Sequence, residues 1–115
     1  MTVSTVGGAS QMEIDVEAAD ELLKSGTARL IDVREEWEYQ RRRVPGAALV
    51  PLNTLAERAV SLPHDKLILV ICEHGNRSLV AAEYLRSRGF KGAVSVRGGT
   101  AAWARSLPVE TGQAG

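Results

Sequence analysis

Leu67-Ile68-Leu69-Val70-Ile71 is an unbroken apolar run, bounded by Pro63-His64-Asp65 before it and Cys72 after it. A strand with one wet face alternates polar and apolar residues. A strand that is apolar throughout needs cover on both faces, which is the habit of parallel sheets in α/β proteins. The segments around it read as alternating strands and helices, so the chain is predicted to be α/β, with a parallel five-stranded sheet and helices on both faces.

The expected order is as follows. Met12 to Ile14 is a short first strand, and Asp15 caps a helix to about Lys24 that turns Val16, Ala19, Leu22 and Leu23 to one side. Ser25-Gly26 ends it. Arg29 to Arg34 is the second strand, Glu35 to Arg42 a short helix carrying Trp37, Pro45-Gly46 a turn and Ala47 to Val50 the third strand. Asn53 to Leu62 is helical, with Leu55, Ala59 and Leu62 facing inward. Leu67 to Ile71 is the fourth strand. Ser78 to Gly89 is the strongest helix, with Val80, Ala81, Tyr84 and Leu85 spaced for burial and Gly89 at its C′ position. Ala93 to Val96 is the fifth strand, Gly98-Gly99 a loop, and Ala101 to Arg105 a last turn or two of helix. The domain is expected to run over 12–110, with 1–11 and 111–115 as flexible tails.

At 115 residues, 44% hydrophobic and 24% charged, the chain has the make-up of one soluble domain with a single modest core. Its formal net charge of zero gives no general reason to expect nucleic acid as a partner. The exception is Arg41-Arg42-Arg43, read as a solvated helix end. No apolar run approaches the ~20 residues of a membrane span. The first eleven residues lack the basic and apolar regions of a signal peptide. A lone cysteine excludes an internal disulfide and a resolving thiol in the same chain, and it suits a reducing compartment. The expectation is a cytoplasmic monomer that binds no membrane.

That cysteine stands where the fourth strand ends and a helix begins. In an open parallel sheet, ligands bind off the carboxyl ends of the strands. A thiol there meets the free N–H groups and the positive end of the helix, both of which favour thiolate. Cys72 is thus a candidate nucleophile; a small buried hydrophobe is the plainer alternative. Gly75 gives the loop room for a ligand or is an ordinary turn glycine. Arg77 can hold an oxyanion in a forked pair of hydrogen bonds, or pair with Glu73 or Asp32. Ser78 is taken as the cap of the following helix, with a hydroxyl that can also support the thiolate. His74 is an acid–base candidate with no partner to name, so a solvated loop position is favoured. Glu73 has no catalytic role and opposes anion binding if it points inward. Trp37 and Trp103 are read as core or pocket wall. Two histidines and one cysteine lack ligand spacing, so no metal or other cofactor is assigned.

Together these residues resemble a single-domain rhodanese, the thiosulfate sulfurtransferase fold. Leu30-Ile31-Asp32-Val33-Arg34-Glu35 with Trp37-Glu38 and Val44-Pro45-Gly46-Ala47 is similar to that family's first signature. Cys72-x-x-Gly75-x-Arg77-Ser78 is similar to its active-site loop, and Gly98-Gly99 with Trp103 to its closing signature. The resemblance spans roughly Met12 to Pro108, with the motifs in order. It implies that Cys72 takes the outer sulfur of a small anionic donor such as thiosulfate and passes it to cyanide, a thiol or a protein acceptor. It implies that N–H groups from Glu73 through His74, Gly75, Asn76 and Arg77 to Ser78 converge on the sulfur, that Arg77 orients the anionic leaving group, and that Asp32 and Arg34 support the sheet near the pocket. Two positions depart from the pattern: Arg42-Arg43-Val44 stands where the family often has Gly-His-Ile, and Glu73 sits inside an anion-binding loop. The loop also differs from the Cys-Gly-Ser/Thr-Gly-Val-Thr form of mercaptopyruvate enzymes.

Two other readings compete with this one. Phosphatases and arsenate reductases of this fold use Cys-x5-Arg, whereas Cys72 and Arg77 are one residue closer, and arsenate reduction by thiol relay needs further cysteines. The second rival is an interaction module or persulfide carrier loaded by a partner protein, with little activity on free thiosulfate.

Overall fold

The computed structural model describes residues 11–112. The strands are β1 (Glu13–Ile14), β2 (Ala28–Asp32), β3 (Arg42–Arg43), β4 (Ala48–Leu49), β5 (Leu67–Ile71), β6 (Val94–Val96) and β7 (Glu110–Thr111). The helices are α1 (Val16–Lys24), α2 (Glu36–Arg41), α3 (Leu55–Arg58), α4 (Asn76–Ser87) and α5 (Gly99–Ser106). Five strands form one sheet in the order β1-β6-β5-β2-β4, every neighbour parallel. The apolar run is β5, at the centre.

Its side chains serve both faces, as the period of two requires. Ile68, Val70 and Cys72 join Ile31 and Val33 under Ala81, Ala82 and Leu85 of α4, with Leu55 and Ala59 alongside. Leu69 and Ile71 join Leu30, Val94 and Val96 under Val16 and Ala19 of α1 and Trp103 of α5. The strand is therefore buried on each side by a different set of helices. Because Cys72 continues the Ile68–Val70 face, its side chain is turned toward α4.

Several expectations need correction. Asp15 stands at the start of α1 but makes no cap bond from its side chain, which instead accepts from Arg97. Asn53 to Leu62 is not one helix: tight turns at Leu52–Thr54 and Ala59–Ser61 flank the short α3. The first of these is drawn in by the Leu52 N–H, which donates to the Val33 carbonyl at 3.0 Å. The helix α4 begins at Asn76, and Gly75, not Ser78, is its N-cap. Its inner stripe is Ser78, Ala81, Ala82 and Leu85; Val80, two residues on from Ser78, lies nearly opposite and is 59% exposed.

The arginine tract is not a solvated helix end. Arg42 and Arg43 form β3, antiparallel to β7, with Arg42 opposite Thr111 and Arg43 opposite Glu110. Arg43 is buried, pairs with Glu110 at 3.2 Å and donates to the Gly112 carbonyl at 2.8 Å. Arg41 alone is exposed. Thr111 and Gly112, expected in a loose tail, are thus held to the domain; residues 1–10 and 113–115 lie outside the described residues. No helix among the described residues is long and apolar enough to cross a membrane.

Candidate active site

The chain leaves β5 at Ile71, and Cys72 is the next residue. Three residues later Gly75 takes φ +104°, in the left-handed region that favours glycine, and the chain turns directly into α4. A Cβ there would also stand 3.2 Å from the Gly98 nitrogen. This turn brings the free end of the helix onto the sulfur. The Gly75 N–H donates to Cys72 Sγ at 3.1 Å and the Ser78 N–H at 3.3 Å. Ser78 is the third residue of α4, whose N–H ordinarily goes to a capping oxygen from the N-cap side chain. Gly75 has no side chain to offer, and Sγ receives that bond.

The Ser78 hydroxyl lies 3.3 Å from Sγ and 2.6 Å from the hydroxyl of Ser95 on β6, all three groups being buried. The loop carbonyls are fixed from the other side. The Thr100 N–H donates to the Cys72 carbonyl at 2.8 Å, and the Ala101 N–H to that of Glu73 at 3.1 Å. Gly99, at the start of α5, has no room for a Cβ: one would stand 2.3 Å from the Cys72 oxygen and 2.5 Å from that of Glu73. The ends of two helices therefore hold one short loop, α4 by its sulfur and α5 by its carbonyls.

Charged residues surround this loop in pairs. Arg34, 1% exposed, donates through Nε and Nη2 to both oxygens of buried Asp32, at 2.8 to 3.1 Å. It also reaches Glu73 at 3.0 Å and the Arg42 carbonyl at 2.7 Å. Burial is the largest single influence and weakens the guanidinium's hold on its proton, but the Asp32 hydrogen bonds and the charges of Asp32, Glu73 and Glu38 together outweigh it and the pKa is raised. Arg42 binds the other oxygen of Glu73 at 2.8 Å. Glu73 is thereby held between two guanidiniums. Arg77 is forked onto Glu38 of α2, at 2.8 and 2.9 Å. Glu38 is drawn below the usual carboxylate range, first by the Arg77 hydrogen bond, and Arg77 is raised, first by that of Glu38.

A recess of about 420 Å³ opens beside these pairs, lined by Arg34, Trp37, Glu38, Arg41, Arg42, Glu73 and Thr111. Trp37 is 58% exposed at its wall, whereas Trp103 is buried in the core.

The loop motif thus comes together around Cys72, but unevenly. Of its N–H groups, Gly75 and Ser78 bond the sulfur, where the resemblance implied convergence from the whole loop. His74 and Asn76 are exposed. Ser78 does not cap the helix with its hydroxyl. Arg77 pairs with Glu38, not with Glu73 or Asp32. Sequence reasoning missed Glu38, Ser95, Thr100 and the role of Arg42, all brought to the loop from distant parts of the chain. The one available signal was the co-occurrence of the two departures, an acid at Glu73 and a base at Arg42, which cancel each other here.

The family model of the rhodanese-like domain matches residues 15–106. The chain belongs to that family. Among solved structures, this rhodanese-like domain is similar to a rhodanese-related protein from Thermoplasma volcanium, at 33% identity and a TM-score of 0.78, covering 85% of this chain and 96% of that one. It is similar to the human single-domain sulfurtransferase TSTD1, at 30% identity and a TM-score of 0.72, covering 84% and 98%. It is also similar to the rhodanese-like domain of an Anabaena sp. protein, at 30% identity and a TM-score of 0.77, covering 87% and 79%. The parallel sheet and flanking helices of this chain are the fold of these relatives.

Proposed function

We propose that this protein is a sulfurtransferase that carries sulfur as a persulfide on Cys72, with thiosulfate or a similar compound as donor. The observation that carries the reading is the pair of N–H donors from Gly75 and Ser78 on Sγ at the head of α4. Such donors are placed for a sulfur that bears negative charge before and after the reaction. The human relative's name, single-domain sulfurtransferase, supports the same chemistry. In the first step the Cys72 thiolate attacks the outer sulfur of thiosulfate. The S–S bond breaks, its electron pair leaves with sulfite, and Cys72 retains the outer sulfur as a persulfide anion. In the second, a thiophilic acceptor such as cyanide or a thiol attacks that terminal sulfur and the Cys72 thiolate is regenerated.

In this scheme Glu73 to Ser78 form the wall of the donor site and Arg77 is its anion-facing cation. Asp32 and Arg34 support it by fixing Glu73 and the end of β2. No metal or other cofactor enters the scheme. A free thiolate nucleophile needs reducing surroundings, which favours the cytoplasm. The working unit is taken as a monomer.

Intact mass of the reduced protein before and after thiosulfate is the direct test. A gain of one sulfur that cyanide reverses is expected, with none in Cys72→Ser. A variant that still gains and loses the sulfur would falsify the role of Cys72.

The exposed Trp37, beside a recess with Arg41 at its edge, favours a second reading, a persulfide carrier docked on a partner. On that reading the mass gain appears with a protein donor and not with thiosulfate.

A further inference from the structure

Every cation that reaches the Cys72 loop is already matched by a carboxylate, while Arg41, at the edge of the recess, is exposed and stands outside these pairs. Arg34 is bound to Asp32 and Glu73, Arg42 to Glu73, and Arg77 to Glu38. Arg34, Arg42 and Arg77 therefore stand against Asp32, Glu38 and Glu73, a local balance of zero. The pairs differ in what they leave free. Arg34 is buried and its donors face fixed partners, and Arg42 neutralises a loop carboxylate. Arg77 is the loop's own cation and 39% exposed. Its forked face, the one a sulfonyl group needs, is filled by both oxygens of Glu38. Glu38 is itself fixed: the Glu35 N–H donates to its Oε1 at 3.0 Å, which closes the capping box of α2. The carboxylate is built into the helix start and is not free to swing away at little cost.

We infer that Glu38 competes with the sulfur donor for Arg77 and sets the donor preference of this site, which favours donors of low negative charge over small dianions. The inference rests on the sulfur-transfer reading and adds to it a residue and a class of donor. An anionic donor must displace Glu38 from Arg77 or approach with Glu38 in place. Either way the attraction Arg77 would give it is forfeited to Glu38, and that attraction doubles from a monoanion to a dianion. Glu38 is a positioning residue in this account; it touches no reacting atom.

The test uses two donors of one chemistry. Thiosulfate is a dianion. Methanethiosulfonate has a methyl group where thiosulfate has one charged oxygen, and so is a monoanion. Each gives its outer sulfur to the Cys72 thiolate, the first releasing sulfite and the second methanesulfinate, so both leave the same persulfide. Initial rates of persulfide formation are measured for the wild type, Glu38→Gln, Arg77→Met and the double variant, with a thermal melt of each. Gln keeps an oxygen for the Glu35 N–H, so the helix cap survives. In Glu38→Gln the thiosulfate KM should fall by about tenfold, the scale of one charge-assisted interaction, and that of methanethiosulfonate by about threefold. In the Arg77→Met background the Glu38→Gln change should leave thiosulfate KM within about twofold, since the two act through one contact. An equal change for both donors, no change, or the same fall without Arg77 overturns the inference while sulfur transfer stands. Failure of both donors to load wild-type Cys72 removes the transfer reading, and this inference with it.

Discussion

Arg34 shows how much of this site depends on single side chains. It is 1% exposed, and it is the partner of a carboxylate at Asp32 that is wholly buried. Replacing a buried ion pair by apolar groups can be neutral, but removing one partner leaves a charge unpaired in a dry place. Arg34→Met should therefore cost about 3–5 kcal/mol in urea unfolding, whereas Asp32→Asn with Arg34→Met together should recover part of it. Equal losses in the single and double variants would show that Asp32 finds another partner or water. At this scale the sequence was informative about chemistry and poor about pairing. Cys72, Gly75 and Arg77 could be chosen because each has a local reason: the end of an apolar strand, a turn, a charge at a helix start. The partner of Arg77 could not, because Glu38 is a whole crossover away, Glu73 in the same loop offered a nearer carboxylate and Asp32 a rival one at a strand end. Ser95 read as part of a strand, and only the parallel register of β5 and β6 brings its hydroxyl to Ser78.

Elements were legible where periodicity is strong. The strand β5 has the limits its composition predicts, Leu67 to Ile71, and α4 closes with Gly89 at C′, the Phe90 N–H returning to the Leu85 carbonyl at 3.0 Å. Elements were misread where a tertiary contact decides them. Arg42 and Arg43 have no local signature of a strand; β7 pairs with them from the far end of the chain. The helix α5 starts two residues before the expected Ala101, because its first N–H groups find acceptors in the Cys72 loop. That junction yields a prediction. A methyl group on Gly99 would meet two loop carbonyls at 2.3 and 2.5 Å, and φ +65° is itself costly for alanine. Gly99→Ala should lose roughly 2–4 kcal/mol in urea unfolding from overpacking and backbone strain together. It should also slow persulfide formation, since the clash falls on the backbone that aims Cys72. A variant as stable and as fast as the wild type would mean that α5 can withdraw without moving the loop.

Across the whole molecule the charges sum to zero, and at this end of the sheet they join segments that lie far apart in the chain. Glu38 ties α2 to α4, Glu73 ties the loop to β2 and β3, and Arg43 ties β3 to the end of the described chain. Such ties depend on pH in a definite sense. The Glu38 carboxyl holds its proton less tightly in the folded protein than in the unfolded chain, chiefly because Arg77 donates to it. As pH falls, the unfolded chain takes up that proton first, so its uptake draws the equilibrium toward unfolding. The stabilisation is complete above the ordinary glutamate range, about pH 4.3, and fades as pH falls through the lower folded value. Glu38→Gln carries no such term. In urea unfolding from pH 7 to pH 3, the wild type should exceed the variant by a constant margin down to about pH 5, and the margin should then shrink toward acid. Arg77→Met should narrow that pH dependence, because the partner that lowers Glu38 is gone. A margin that stays constant to pH 3 would mean that Glu38 titrates alike in both states. The pair would then add nothing beyond its exposed neighbours, and α2 would be held to α4 by packing alone.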